Sequence, residues 1–316
     1  MFVPIQQSEK KKMFDNDESN FKREFPNIKT LSEILSLDLP PQEWLIKDFL
    51  PVGTTLLVGP PKIGKSYFVL YLMSRILEQD KGAFYYAGED DARRLKLRLT
   101  QLGLENGEAL FHPGRTAPLG TSPIATIRSI LSQKNNVKAA FIDTMHHILP
   151  RLNKSRDYES YVHDLKPWSE LAVSLNKSIL MIHHTRKENN EAENNRYNSI
   201  LGSQGIMASF DNIMIMKKSS DAKGTVLNVI GKDVEEKEYR LKKMYVGWEI
   251  EGLESEASLG DTQTKVFALI KSSSGLSRSR IRDELTLDGS YLTKIIKKLL
   301  YKNLIEEVED RFYPIK

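Results

Sequence analysis

Eight consecutive residues, Gly59-Pro60-Pro61-Lys62-Ile63-Gly64-Lys65-Ser66, fit the spacing G-x-x-x-x-G-K-[ST]. Glycines in such a loop let backbone N–H groups converge on phosphate oxygens, and a helix starting at its end adds a favourable dipole. A lysine at the place of Lys65 neutralises the β- and γ-phosphates of ATP, and a hydroxyl at the place of Ser66 ligates Mg²⁺. Pro60, Lys62, Ile63 and Tyr67 complete the expected lining of this site. The segment AAFIDT ends an apolar run on Asp143, a carboxylate suited to share the Mg²⁺ with Ser66. Thr144 and Met145 follow it, so no adjacent glutamate activates water. Glu89, in AFYYAGEDD, is the candidate for that task, at the end of another apolar run. Asp90 competes with it, and one of the two could instead cap the helix that follows.

These residues need strands and helices to hold them, and the surrounding pattern supplies both. Strand-like runs are expected at Thr54–Val58, Ala83–Ala87, Ala139–Ile142, Ser178–Ile182 and Asn212–Met216. Helical spacing covers Ser66–Leu77, Asp91–Leu102, Ser122–Gln133 and Tyr161–Leu175. Short apolar strands alternating with helices predict an α/β fold with a mostly parallel sheet covered on both faces. After Met216 the pattern turns antiparallel: GTVLNVIGK and EYRLKKMYVGWEIE predict hairpin strands. The expected division is a loosely attached tail at 1–28, an ATPase domain at 29–252, a linker at 253–260 and a second domain at 261–316.

In that second domain TQTKVFALIKSSS, SRSRIRDEL and GSYLTKIIKKLLYKN predict three helices, and LIEEVEDRFYPIK a strand–turn–strand. Leu292, Ile295, Ile296, Leu299 and Leu300 form a buried stripe on the third helix, with Ser277, Asp288 and Ser290 as caps. This resembles a winged helix-turn-helix, whose later helix enters the major groove of DNA. Lys294, Lys297 and Lys298 would then meet phosphates, while Ser290, Tyr291 and Thr293 lie near the helix start for base edges. Winged helices also dock proteins, and the acidic wing (Glu306, Glu307, Glu309, Asp310) suits that alternative.

Taken together, PPQEWLIKDFLPVGTTLLVGPPKIGKS, YYAGEDDARRLKLRL, FIDT, MIHHTRK and LGSQGIMASFDNIMIMKK resemble the RecA-like hexameric ATPases. Among these the likeness is to the RepA-type replicative helicases of plasmids and related mobile elements, over about Pro41 to Gly231. The resemblance implies a RecA-like P-loop core in which the acid after the second strand, Glu89 here, is the hydrolytic base. It implies that His184, ahead of His183, takes the place of a polar γ-phosphate sensor. A trans-acting cation falls on Lys232 in NVIGKDVEE, where the family commonly carries arginine. Lysine lacks arginine's bidentate fork, and Arg240 is the other candidate. The loops Arg151–Tyr158 and Thr185–Ser199 would line a central channel. There Arg186, Lys187 and Arg196 would meet phosphates and Tyr197 would stack on a base, although Glu188, Glu191 and Glu193 interrupt the basic character. The implied function is a homo-oligomeric ring ATPase, a hexamer, coupling Mg-ATP hydrolysis to translocation on single-stranded DNA or duplex unwinding. The alternative is a DNA-binding ATPase that does not unwind, an ATP-dependent assembly switch in replication initiation, recombination or regulation.

Composition bounds both readings. The 316 residues contain no cysteine, which excludes disulfides, thiolate catalysis and zinc–thiolate sites. A net charge of +4 permits nucleic-acid contact without demanding it. No run of apolar residues is long enough for a membrane span, and Met1 to Glu24 has no signal-peptide core, so a cytoplasmic protein is expected.

Overall fold

The computed structural model describes Glu24 and residues 27–39, 42–115, 118–149, 158–184, 204–219, 224–232, 234–245, 247–257 and 259–315. Two compact units emerge, Met1–Pro41 and Gln42–Lys316. The first carries α1 (Leu31–Leu35), opened by a capping box between Thr30 and Glu33 and burying none of its residues. The expected tail, 1–28, lies within this first unit. Among the described residues none before Leu45 is buried.

In the second unit, β1 (Trp44–Ile46) and β2 (Leu50–Pro51) form a small antiparallel pair. Then comes β3 (Gly53–Gly59), whose seven residues are all buried. A strand with no polar alternation must be covered on both faces, and the chain supplies the cover. It continues with α2 (Lys65–Leu77), β4 (Gly82–Ala87), α3 (Ala92–Gln101), β5 (Ala109–Pro113), α4 (Pro123–Gln133) and β6 (Val137–Asp143). After these follow α5 (Met145–Ile148), α6 (Tyr158–Leu175), β7 (Ser178–His184), α7 (Gln204–Ala208) and β8 (Asn212–Lys218). Three antiparallel strands, β9 (Thr225–Gly231), β10 (Lys237–Lys243) and β11 (Trp248–Leu253), complete a nine-stranded sheet of order β11-β10-β9-β8-β3-β7-β6-β4-β5. Its β8 to β5 part is parallel throughout.

Alternate side chains of the strands enter different cores. Leu57, Tyr85, Phe141 and Leu180 pack with α2 and α3. Leu56, Phe84, Ile142 and Met181 pack with α4, α6 and α7 on the other face. The edge strand β5 went unforeseen, because it is short and none of its residues is fully buried.

At the end of the sheet away from the glycine loop, Asp211 joins three strands. Its Oδ2 accepts from the Thr54 amide at 3.0 Å and the Thr54 hydroxyl at 2.8 Å, and its Oδ1 accepts from Lys232 Nζ at 2.9 Å. Burial pushes the Asp211 carboxyl up, but the hydrogen bonds from Thr54 and Lys232 outweigh it and hold it below the usual range. A depressed carboxylate stabilises the fold above its unfolded pKa, near 3.9, and that contribution is lost as pH falls through the lower folded value. Asp211→Asn is expected to cost about 1–2 kcal/mol at neutral pH and to flatten the loss of stability below about pH 4. Urea melts at neutral and acid pH check both.

Beyond β11, the stretch expected as linker holds α8 (Glu254–Ala257), whose Glu254 takes the fork of Arg240 at 2.8 and 2.9 Å. There follow α9 (Asp261–Lys271), β12 (Leu276–Ser277), α10 (Arg278–Leu285), α11 (Gly289–Tyr301), β13 (Ile305–Val308) and β14 (Arg311–Pro314). The last three strands make a sheet of order β12-β14-β13. They close over a core of their own that includes Phe267, Ile281, Leu292, Ile296 and Phe312. Among the described residues no helix is long and apolar enough to cross a membrane.

Candidate nucleotide site

Four neighbouring strands, β3, β7, β6 and β4, end at one edge of the sheet. In register Gly59 lies beside His184, and Ala87 beside Asp143. Such strand ends are where open α/β sheets gather ligand chemistry.

From Gly59 the chain turns through the loop into α2. Gly64 is the N-cap, at φ 109°, a left-handed backbone that favours glycine. A Cβ at Gly59 would come within 2.7 Å of the Met216 carbonyl oxygen, so the loop approaches β8 as only glycine allows. No side chain caps α2, which leaves its first-turn amides for a ligand. Lys65 is buried, and its ammonium donates to the Gly59 and Pro60 carbonyls at 2.7 and 3.0 Å and to His184 Nδ1 at 3.1 Å. An ammonium has only hydrogens to offer, so Nδ1 accepts and His184 carries its proton on Nε2. That nitrogen faces Glu89 Oε1 at 3.4 Å. Lys65, His184 and Glu89 thus form one chain of polar contacts along the strand ends.

Asp143 lies beside them, 4 % exposed, accepting from the Tyr85 hydroxyl at 2.8 Å and hydrogen-bonded to Ser66. Burial raises its pKa, the two hydrogen bonds oppose that, and Glu89 and Asp90 add to it. Glu89 is held below the ordinary carboxylate range by its hydrogen bond to His184, against some desolvation. His183 is pushed down to about 4 by burial and by His184, Lys65 and His146 around it, so it stays neutral at physiological pH. The alternative role left open for Glu89 or Asp90, capping α3, is taken by neither. Asp91 caps it, accepting from the Arg94 amide, while the buried Asp90 pairs with Arg94 at 3.3 Å and with Arg98.

Other expected residues lie elsewhere. Lys232 sits at the opposite end of the sheet on Asp211, and Arg240 is held by Glu254. Arg186, Lys187, Arg196 and Tyr197, with 151–157 of the other candidate loop, fall outside the described residues. Lys294, Lys297, Lys298 and Tyr291 are exposed on α11, which Asp288 caps. Ser290 donates to Asp288 and is not itself a cap. Two contributors carry no motif. Tyr85 stands in the apolar run AFYYA with no spacing to single it out, and Trp248, whose indole donates to the Gly64 carbonyl at 3.0 Å, comes from the far edge strand.

A family model described as the AAA domain matches residues 21–190, more than half of the chain. No curated protein matches the sequence. Among solved structures, the ATPase domain of G40P is similar at 13 % identity, over 64 % of this chain and 85 % of that one, with a TM-score of 0.51. The RadB recombinase is similar at 17 % identity, over 64 % and 91 %, with a TM-score of 0.46. The likeness to the G40P domain is one of fold: the large, mostly parallel sheet is that of a RecA-like P-loop core.

Proposed function

The chain belongs to the AAA domain family, and from that premise we propose that it is an ATPase acting on DNA, of RepA-type helicase character. The observation that carries the reading is the juxtaposition of Lys65 and Ser66, at the start of α2, with Asp143, His184 and Glu89 at adjoining strand ends. The donor set fits Mg-ATP. Open helix amides and Lys65 suit the phosphates, and Ser66 and Asp143 supply two hard oxygens. Two are fewer than Mg²⁺ takes, so the ion would share its remaining ligands with phosphate and water. When bound, Mg²⁺ neutralises developing charge on the phosphates.

The chain's own residues do the rest. Lys65 exchanges its carbonyl partners in the loop for phosphate oxygens. Glu89, a carboxylate at neutral pH, orients and deprotonates water. His184 touches both and is placed to report the change to the loop that follows β7. The segment 261–316 serves as a winged helix presenting α11 to DNA, and assembly into a hexameric ring brings a neighbour's cation, Lys232 or Arg240, to each site. This reading goes with a cytoplasmic place in the replication of a mobile element. One observation favours the second reading, an ATP-dependent assembly switch without unwinding: Lys232 and Arg240 both rest on carboxylates of their own chain.

Steady-state hydrolysis with and without single-stranded DNA separates the two, because a motor is stimulated and a switch is indifferent. Neutralising Lys294, Lys297 and Lys298 together is expected to weaken duplex binding and make log K against log salt shallower by about two to three. An unchanged salt slope would make 261–316 a protein-docking module.

A further inference from the structure

We propose that Trp248 is a positioning residue of the phosphate loop, acting through the Gly64–Lys65 peptide. The inference rests on the ATPase reading and adds to it a residue from outside the motif.

The C=O and N–H of one trans peptide point in opposite directions. The Gly64 carbonyl is held twice, by the Phe68 amide at 3.0 Å and by Trp248 Nε1 at 3.0 Å. The Lys65 N–H is therefore turned away from the indole, toward the interior of the loop. Glycine at φ 109° leaves this peptide freer to reorient than any other residue would, so an external hold on its oxygen has something to decide. The indole is also packed on the glycine itself, since a Cβ at Gly64 would lie 2.8 Å from Trp248 Cζ2.

Trp248 is in turn well fixed. It is 6 % exposed and pairs with Lys243 at the mouth of the β10–β11 hairpin. It follows Gly247, at φ 83°, where a Cβ would lie 3.0 Å from Leu102 at the end of α3. The hairpin thus rests against α3 while its tryptophan grips the loop. The antiparallel extension of the sheet becomes part of the nucleotide site without offering it a charged group.

Trp248→Phe keeps the ring and removes the N–H. Affinity for β,γ-imido ATP, measured by calorimetry, is expected to fall about three- to tenfold, the worth of one hydrogen bond. The kcat for ATP is expected to stay within about twofold while KM rises, because the reacting groups are untouched. A second readout needs no variant at this position. The chain has three tryptophans, and with 5-fluorotryptophan the ¹⁹F signal of Trp248 is expected to move on adding β,γ-imido ATP while those of Trp44 and Trp168 stay. Binding in Trp248→Phe at wild-type affinity, or an unmoved Trp248 signal at saturation, would overturn the proposal. If the wild-type chain bound no nucleotide at all, the ATPase reading itself would fall, a result distinct from either.

Discussion

Lys65→Ala is expected to abolish ATP turnover and weaken ATP binding on the order of a hundredfold, yet leave the nucleotide-free protein within about 1 kcal/mol of wild type. The two halves of this expectation have different origins. In the nucleotide-free chain the ammonium is buried, and burial lowers its pKa to about 8 despite the attraction of Asp143 and Glu89. A lysine whose folded pKa lies below its unfolded value, near 10.4, costs stability wherever it is charged. Stability then rises with pH through the window from about 8 to 10.4. Set against that cost are the hydrogen bonds to Gly59, Pro60 and His184. Removing the side chain removes both terms, which have opposite signs. Phosphates change the balance, because a triphosphate favours the charged lysine that burial opposes. ATP should therefore raise the melting temperature of the wild type and not that of the variant. A variant that bound ATP normally would refute the assignment. One that lost several kcal/mol without nucleotide would make Lys65 a structural residue instead.

Glu89→Gln is expected to leave ATP affinity within about twofold and to lower kcat by about 10²- to 10³-fold. Glutamine keeps an oxygen for His184 Nε2, so the chain of contacts from Lys65 survives, and only the charge and the proton-accepting capacity are lost. The His184 hydrogen bond lowers the Glu89 pKa. The acid limb of kcat/KM that Glu89 produces should then lie below the ordinary glutamate value of about 4.3, with the rate falling as pH drops through it. A limb near pH 6.5 would point to a histidine in its place. Single-turnover hydrolysis by pre-bound ATP measures the chemical step directly, and retained turnover would return the role to another group.

Much of this site was legible in the sequence because the loop's spacing and the buried strands are local signals. β3, β4, β6 and β7 are apolar over their lengths, and each expected catalytic group follows or ends such a run. What stayed hidden depends on contacts far apart in the chain. Asp90 looked like a rival base, but its carboxylate is spent on Arg94 and Arg98. Three acids in a row offer no local cue that the third, Asp91, is the cap. The acidic, glycine-flanked stretch after β11 read as linker, because nothing nearby shows that Arg240 will claim Glu254. Trp248 lies 184 residues from the glycine it holds, and an isolated tryptophan at a strand start is ordinary core material. Lys232 is a different case, since its assignment came from family likeness and the strand bearing it ends beside Asp211.

The place of β3 in the sheet bears on how the loop would fail. Hydrogen-bonded to β7 on one side and β8 on the other, and buried along its length, it has the features of strands whose amides exchange only with global unfolding, and its amides are expected to do so. Among the described residues β11, which carries Trp248, pairs with β10 and with no second strand, and edge strands open in smaller, cheaper fluctuations. The phosphate loop is therefore rooted in an interior strand and gripped from an edge strand. Mild denaturant or warming should loosen the grip well before the root, so the capacity to hold a nucleotide would be lost from a protein whose main fold is still intact.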